Sequence, residues 1–146
     1  MQSTSVDTMG RITTTIAVTN RLDQGLVERG VISAQEVRSL TLRDVLVDTG
    51  ATTLCLPANV ISRLGLSLLK EVDIATATGL GKARIFQDAK ISLLGREGTF
   101  ECVELPEGAD PLLGVIPLEA LGIELDLQNQ RLILLPINPT TRYLRI

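Results

Sequence analysis

The sequence predicts a mainly β domain with one or two short helices, and three observations carry that reading. β-branched and aliphatic runs with approximate alternation recur, as in "RITTTIAVTN" (11–20) and "LTLRDVLV" (40–47). Glycines break the stretch 72–105 into three strand-length runs, the pattern of two successive hairpins. Helix-like periodicity is confined to short segments. At 146 residues the chain fits one domain with a real core. Its only aromatics are Phe86, Phe100 and Tyr143, so that core must be built from Leu, Ile, Val and Ala.

Taken in order, residues 1–9 are polar and are expected to form a flexible N-terminal segment. Residues 11–20 read as the first strand. "RLDQGLVERGVI" (21–32) suggests a turn around Asp23 to Gly25 and a returning strand. "SAQEVRSL" (33–40) is ambiguous: Ser33 and Glu36 have capping-box spacing, but the segment is short. Residues 40–47 form a strand that ends at Asp48. "PANVISRLGL" (57–66) reads as a short helix with Pro57 in its first turn, Val60, Ile61 and Leu64 on one face, and Gly65 as its stop.

The hairpins of 72–105 are expected to turn at Gly79-Leu80-Gly81 and over Gly95 to Gly98. "PLLGVIPLEALGIELDLQNQRLILLP" (111–136) holds an apolar run, a helix over Pro117 to Leu121, and a hairpin turning at Gln128 to Gln130. The tail 137–146, "INPTTRYLRI", is apolar enough to pack on something, a dimer interface being one place for it. No linker divides the chain, so residues 10–136 are read as one domain.

An internal echo links two parts of it. "LVDTG…LP…ISRLGL" and "PLLG…IPLEALGI" share the order apolar run, Gly, Pro, short helix, Leu-Gly-apolar. Gly50 matches Gly114, Pro57 matches Pro117, and Leu64-Gly65 matches Leu121-Gly122. Two halves of similar topology about a pseudo-twofold follow from this pairing.

Composition excludes much chemistry. There is no histidine, which removes imidazole-based nucleophilic catalysis and the commonest metal ligand. Formal charge is -3 and no basic, aromatic platform exists, so nucleic acid is not an expected partner. No stretch approaches the roughly 20 apolar residues that span a bilayer, and no signal-peptide core opens the chain, so a cytoplasmic address without membrane attachment is expected. Cys55 and Cys102 lack metal-ligand spacing and read as small buried hydrophobes; neither a metal nor a cofactor is expected. "GLGKAR" (79–84) is no phosphate loop: Ala83 replaces the Ser/Thr, Thr76 replaces the upstream Gly, and Arg84 stands where a dinucleotide motif needs Gly.

What remains is an acid at the end of an apolar strand. "VDTGATTL" (47–54) resembles the active-site motif of aspartic peptidases, and "PLLGVIPLEALGI" (111–123) resembles the second signature of their retropepsin-like branch. The resemblance covers roughly residues 10–136. It implies a retropepsin-like closed β-barrel, the acid-protease fold, active as a twofold dimer. It also implies Asp48 as catalytic acid/base in an active-site loop with Thr49, Gly50 and Ala51. Thr49 would bond across to its counterpart, and Gly50 would donate its N–H near the carboxylate. Gly79-Leu80-Gly81 becomes the candidate flap closing on a peptide or protein substrate, an ordinary hairpin turn being the plainer reading. Leu112-Leu113-Gly114, the second signature, would pack beneath the catalytic loop. Retroviral members usually carry Arg after this Gly and Asp after the catalytic Ala. Val115 and Thr52 stand there instead, so the resemblance is closer to cellular, prokaryote-like members.

One carboxylate cannot be base and acid at once, whereas two close together share a proton. The chain holds a single Asp-Thr/Ser-Gly, and Leu112 occupies the position matching Asp48. A homodimer is the simplest source of the second acid. The reading is thus an aspartic endopeptidase. Its alternatives are a peptide-binding or regulatory module that keeps the fold without turnover, and an unrelated β-rich interaction domain with a chance motif. The acids Glu97, Glu101, Glu104, Glu107 and Asp110 read as a solvated face.

Overall fold

The computed structural model describes residues 4–6 and 11–136. Strand β1 (Thr4–Val6) leads into β2 (Ile12–Asn20), helix α1 (Arg21–Glu28) and a 3₁₀ turn at Ala34–Glu36. Then follow β3 (Ser39–Val47), β4 (Leu54–Pro57), α2 (Ala58–Leu64), β5 (Ser67–Thr76), β6 (Gly79–Leu93) and β7 (Arg96–Leu105). The chain closes with β8 (Leu112–Leu113), α3 (Val115–Ala120), β9 (Ile123–Asp126) and β10 (Arg131–Leu134).

Pairing runs β2-β3-β8-β4-β7-β6, and β6 pairs back onto β2, so the six strands close into a barrel. Alternation drives this. β2 buries Ile12, Thr14, Ile16, Val18 and Asn20 while the residues between them are only partly covered. Leu54, Leu56, Leu64, Ile91, Leu93, Cys102 and Leu113 fill the same interior. The core is aliphatic, as the scarcity of aromatics requires. Extra residues in β3 near Asp44 (φ 58°) and in β6 near Asp88 (φ 67°) break the registers of β3 against β2 and of β6 against β7. Such bulges bend and twist strands, which helps a small barrel close.

The structure departs from the sequence reading in several places. Three helices form rather than one or two, and residues 21–28 are α1 rather than a turn and a returning strand. The reason lies one residue upstream. The Asn20 side chain accepts the Asp23 N–H at 3.0 Å and caps the helix, and Asp23 suits its positive end. That cap outweighs Gly25, which costs about 1 kcal/mol inside a helix. Residues 33–40 give only the 3₁₀ turn, with Ser33 hydroxyl bonded to the Glu36 carboxylate rather than to backbone. Thr4–Val6 is a strand within the segment expected to be loose. It pairs along Ile12–Thr14, the edge of β2 that β6 leaves open. The rest of that segment and the tail 137–146 lie outside the described residues.

The region 20–40 is joined to the barrel by a polar node. Asn20 also donates through Nδ2 to the carbonyls of Leu64 (2.9 Å) and Gly65 (3.3 Å), so one side chain starts α1 and finishes α2. Asp23 is buried and accepts two bonds from the Arg38 guanidinium, at 2.9 and 3.0 Å, plus the Arg38 N–H at 3.0 Å. These hydrogen bonds from Arg38 hold the Asp23 carboxyl below its ordinary value against the opposing effect of burial. A lowered folded-state pKa stabilises the fold above the unfolded value of about 3.9, and that contribution is lost as pH falls below this value and through the lower folded-state pKa. Asp23→Asn is therefore expected to lower stability by about 1–2 kcal/mol at pH 7, a figure kept small because Arg38 stays half-exposed. Urea unfolding at pH 7 and pH 3 checks this: the gap between variant and parent should shrink at the lower pH.

Candidate active site

Asp48 follows directly from the end of β3, and the local chain is pinned from both sides. β3 runs parallel to β8, pairing Leu46 with Leu112 and Val47 with Leu113, while β4 runs antiparallel to β8 on its other edge. The second signature thus lies between the strand entering the Asp48 loop and the strand leaving it. The Leu46 N–H donates to the Pro111 carbonyl (3.1 Å) and the Asp48 N–H to the Leu113 carbonyl (3.0 Å). Beyond β8, the N–H groups of Gly114, Val115 and Ile116 donate in turn to the carbonyls of Thr53, Ala51 and Thr52, at 3.0, 3.0 and 2.8 Å. The loop 48–53 is therefore held by backbone bonds along the whole crossing segment.

Gly114 makes this crossing possible. A Cβ there would lie 2.6 Å from the carbonyl oxygens of both Ala51 and Thr53. Leu113 is fully buried and Leu112 partly so, in the strand paired between β3 and β4. Thr53, which sequence reasoning passed over, anchors the far side of the loop: its carbonyl takes the Gly114 N–H, and its hydroxyl donates to the Glu101 carbonyl at 3.2 Å. No motif flags it; only the crossing of the two segments does.

The Asp48 side chain is half-buried, and its Oδ1 accepts the Gly50 N–H at 2.8 Å. A Cβ on Gly50 would crowd that oxygen at 3.1 Å. Among the described residues no basic side chain is ion-paired with Asp48. Thr49 and Gly50 are exposed and Ala51 partly covered, so the loop presents its tip outward. The arrangement is a carboxylate fixed by its backbone and open on one side.

The β5–β6 hairpin carries the proposed flap, with one shift. Its turn is at residues 77–78, and Gly79, Leu80 and Gly81 are the first residues of β6, facing Thr76, Ala75 and Ile74. Thr76 hydroxyl donates to the Gly79 carbonyl at 2.8 Å, and Gly79 supplies the positive φ (128°) that leaves the turn. Leu80 is 87% exposed beside the tip, and β5 is exposed almost throughout, so the hairpin projects from the barrel.

Both cysteines are buried free thiols. Burial, then the Asp48 charge, pushes the Cys55 thiol up; burial, then Cys55 and Glu104, pushes Cys102 up to about 12. Neither offers a thiolate nucleophile. Among the described residues no three His, Cys, Asp or Glu side chains cluster as a metal site, and no helix is long and apolar enough to cross a membrane. Of the acids read as a solvated face, Glu97, Glu101, Glu107 and Asp110 are exposed, while Glu104 is partly covered beside Arg84 (3.5 Å). Two cavities lie elsewhere, one on α3 and β9 and one between α1 and the start of β3, and Asp48 lines neither.

Among solved structures, the chain is similar to the solution structure of Simian Foamy Virus (mac) protease: 21% identity, 53% of this chain and 82% of that one covered, TM-score 0.43. No curated protein matches it. The family described as "gag-polyprotein putative aspartyl protease" matches over residues 43–120, a span that runs from β3 through the Asp48 loop and the projecting hairpin to the end of α3. With that match over more than half of its length, the chain belongs to this family of retropepsin-like aspartyl proteases.

Proposed function

We propose that the protein is an aspartic endopeptidase whose catalytic dyad is Asp48 from each of two identical protomers. The observation that carries this reading is the Asp48 loop: a carboxylate held by the Gly50 N–H, exposed on one side, in a chain whose matching position is Leu112. One protomer supplies half of the acid–base pair. A twofold axis beside Thr49 and Gly50 supplies the other half and buries the exposed loop tips.

In this arrangement one carboxylate of the pair is ionised and the other protonated, because like charges so close do not both ionise readily. The ionised member takes a proton from water as its oxygen attacks the peptide carbonyl carbon. The protonated member gives its proton to the carbonyl oxygen. Collapse of the tetrahedral species breaks the C–N bond as a proton passes to the leaving nitrogen. The hairpin tip with Leu80 closes over the peptide and excludes water. Val115 and Thr52, in place of Arg and Asp, support a dimer held without the salt link of retroviral members, as in the cellular branch.

The test couples activity to mass. On a peptide library assayed from about pH 4 to 7, activity per protomer is expected to fall on dilution in step with loss of the dimer in sedimentation. Constant activity per protomer in a sample of monomeric mass would overturn the shared dyad.

A further inference from the structure

We propose that the gap beneath α1 binds a short zwitterionic peptide of dipeptide size, its carboxylate on Arg21 and Lys90 and its ammonium on Glu28. Thr19 of β2 is paired there with Ser39 of β3 on one side and with Lys90 of β6 on the other. Between these strands and α1 lies a cavity of about 670 Å³. Small-ligand sites span about 300–1,000 Å³.

The attitude of the helix is the first argument. A helix laid on a sheet normally turns its apolar stripe down onto it. α1 does not. Its apolar side chains are Leu22, Leu26 and Val27, yet its single buried residue is Asp23, and Leu22 is 50% exposed. The cavity receives Arg21, Gln24 and Glu28 instead, one polar stripe at i, i+3 and i+7. The Asn20 cap and the Asp23–Arg38 pair fix α1 in this attitude, so the polar stripe stays over the strands.

The charges are the second argument. Arg21 donates to the Glu28 carboxylate at 2.8 Å, with 40% and 61% of the two side chains exposed. A pair so open to water holds weakly. A ligand can therefore part it, meeting Arg21 with a carboxylate and Glu28 with an ammonium. Lys90 brings a second cation to the same cavity; its side chain is only 22% exposed, low for a lysine, with Nζ 3.1 Å from Glu97. On the strands, the Ser39 hydroxyl donates to the Val18 carbonyl at 3.1 Å, so the Thr19 hydroxyl donates to Ser39 at 2.9 Å. The Thr19 oxygen can then accept a ligand N–H. Val27, Ala34 and Val37 offer apolar ground for a side chain. Glu28 beside Arg21 disfavours a phosphate dianion, and walls of both signs select a zwitterion. Asp48 lines no part of this cavity, so the site stands apart from the peptidase reading.

Isothermal titration calorimetry of the full chain with leucyl-leucine tests the site. Binding is expected to be saturable, with a Kd of about 1 mM or tighter. N-acetyl-leucyl-leucine amide, which carries neither charge, should bind at least about tenfold more weakly. Arg21→Gln and Lys90→Met should each weaken the dipeptide by about tenfold. They should weaken N-acetyl-leucyl-leucine, which keeps the carboxylate, to the same degree. Glu28→Gln should weaken the dipeptide and leave the N-acetyl form unchanged. None of the three positions is buried, and unfolding midpoints close to that of the parent check that the fold is kept. Should a variant fold poorly, the charged and uncharged peptides on the parent chain still decide. Absence of saturable binding, or equal binding of the uncharged peptide, would overturn the proposal. So would an affinity indifferent to all three substitutions, which would seat the peptide elsewhere on the protein.

Discussion

Asp48→Asn is expected to reduce peptide hydrolysis by about 10²- to 10⁴-fold, the scale of positioned acid–base catalysis, while leaving the fold and the proposed dimer intact. The substitution keeps the side chain's size and keeps an oxygen to accept the Gly50 N–H. What it removes is the ionisable carboxyl, the group that can take up and release a proton. A shared dyad makes a sharper demand. When equal amounts of parent and variant protomers are mixed and allowed to exchange, only about a quarter of the dimers carry two Asp48 residues. Total activity should then fall to roughly half that of the same amount of parent protein alone. Catalysis confined to single chains would leave the activity of the mixture unchanged. Residual activity in the variant close to that of the parent would refute a catalytic role for Asp48.

Gly114→Ala is expected to cost about 3 kcal/mol, at the upper end for overpacking. The added Cβ would sit 2.6 Å from two carbonyl oxygens and 2.7 Å from the Thr53 nitrogen. Those are backbone atoms in a loop fixed by three successive hydrogen bonds, so nothing there can swing aside as a side-chain end could. Relief requires β8 and the loop 48–53 to separate, breaking bonds worth about 1 kcal/mol each. Chemical unfolding measures the loss. Gly25→Ala is the control, since its new methyl meets only the end of Arg21 at 3.8 Å. If enough Gly114→Ala protein folds to assay, kcat should fall more than KM rises, because the displaced group is the Asp48 loop. An unfolding midpoint equal to that of the parent would show that the loop is looser than its geometry implies.

Much of the fold could be read along the chain because its signals are local. Alternation in "ITTTIAV" marks β2, and Gly65 in the left-handed conformation stops α2 where the reading put the stop. The misreadings have equally local causes. Asp23 and Gly25 are turn formers, and they masked a helix whose start is set by the Asn20 side chain, a signal that was present three residues before Asp23. The hairpin tip was placed on the glycines of "GLG", yet the turn falls two residues earlier because Gly79 serves as its exit rather than its centre. The strand Thr4–Val6 had no local signal at all; it exists because β6 leaves part of the β2 edge unpaired.

By itself the sequence determined which residue types are available for chemistry: no imidazole, one Asp-Thr-Gly after an apolar strand, and a leucine where a second such acid would stand. These are matters of identity and order, and they survive any rearrangement of the chain. Only the tertiary structure decided that residues more than sixty positions apart cross each other around Gly114, that Thr53 anchors the crossing, and that Arg96 ties the end of α3 to Leu135. Contacts of that kind depend on barrel closure, which sums weak preferences from six strands at once. No short window of sequence contains that sum.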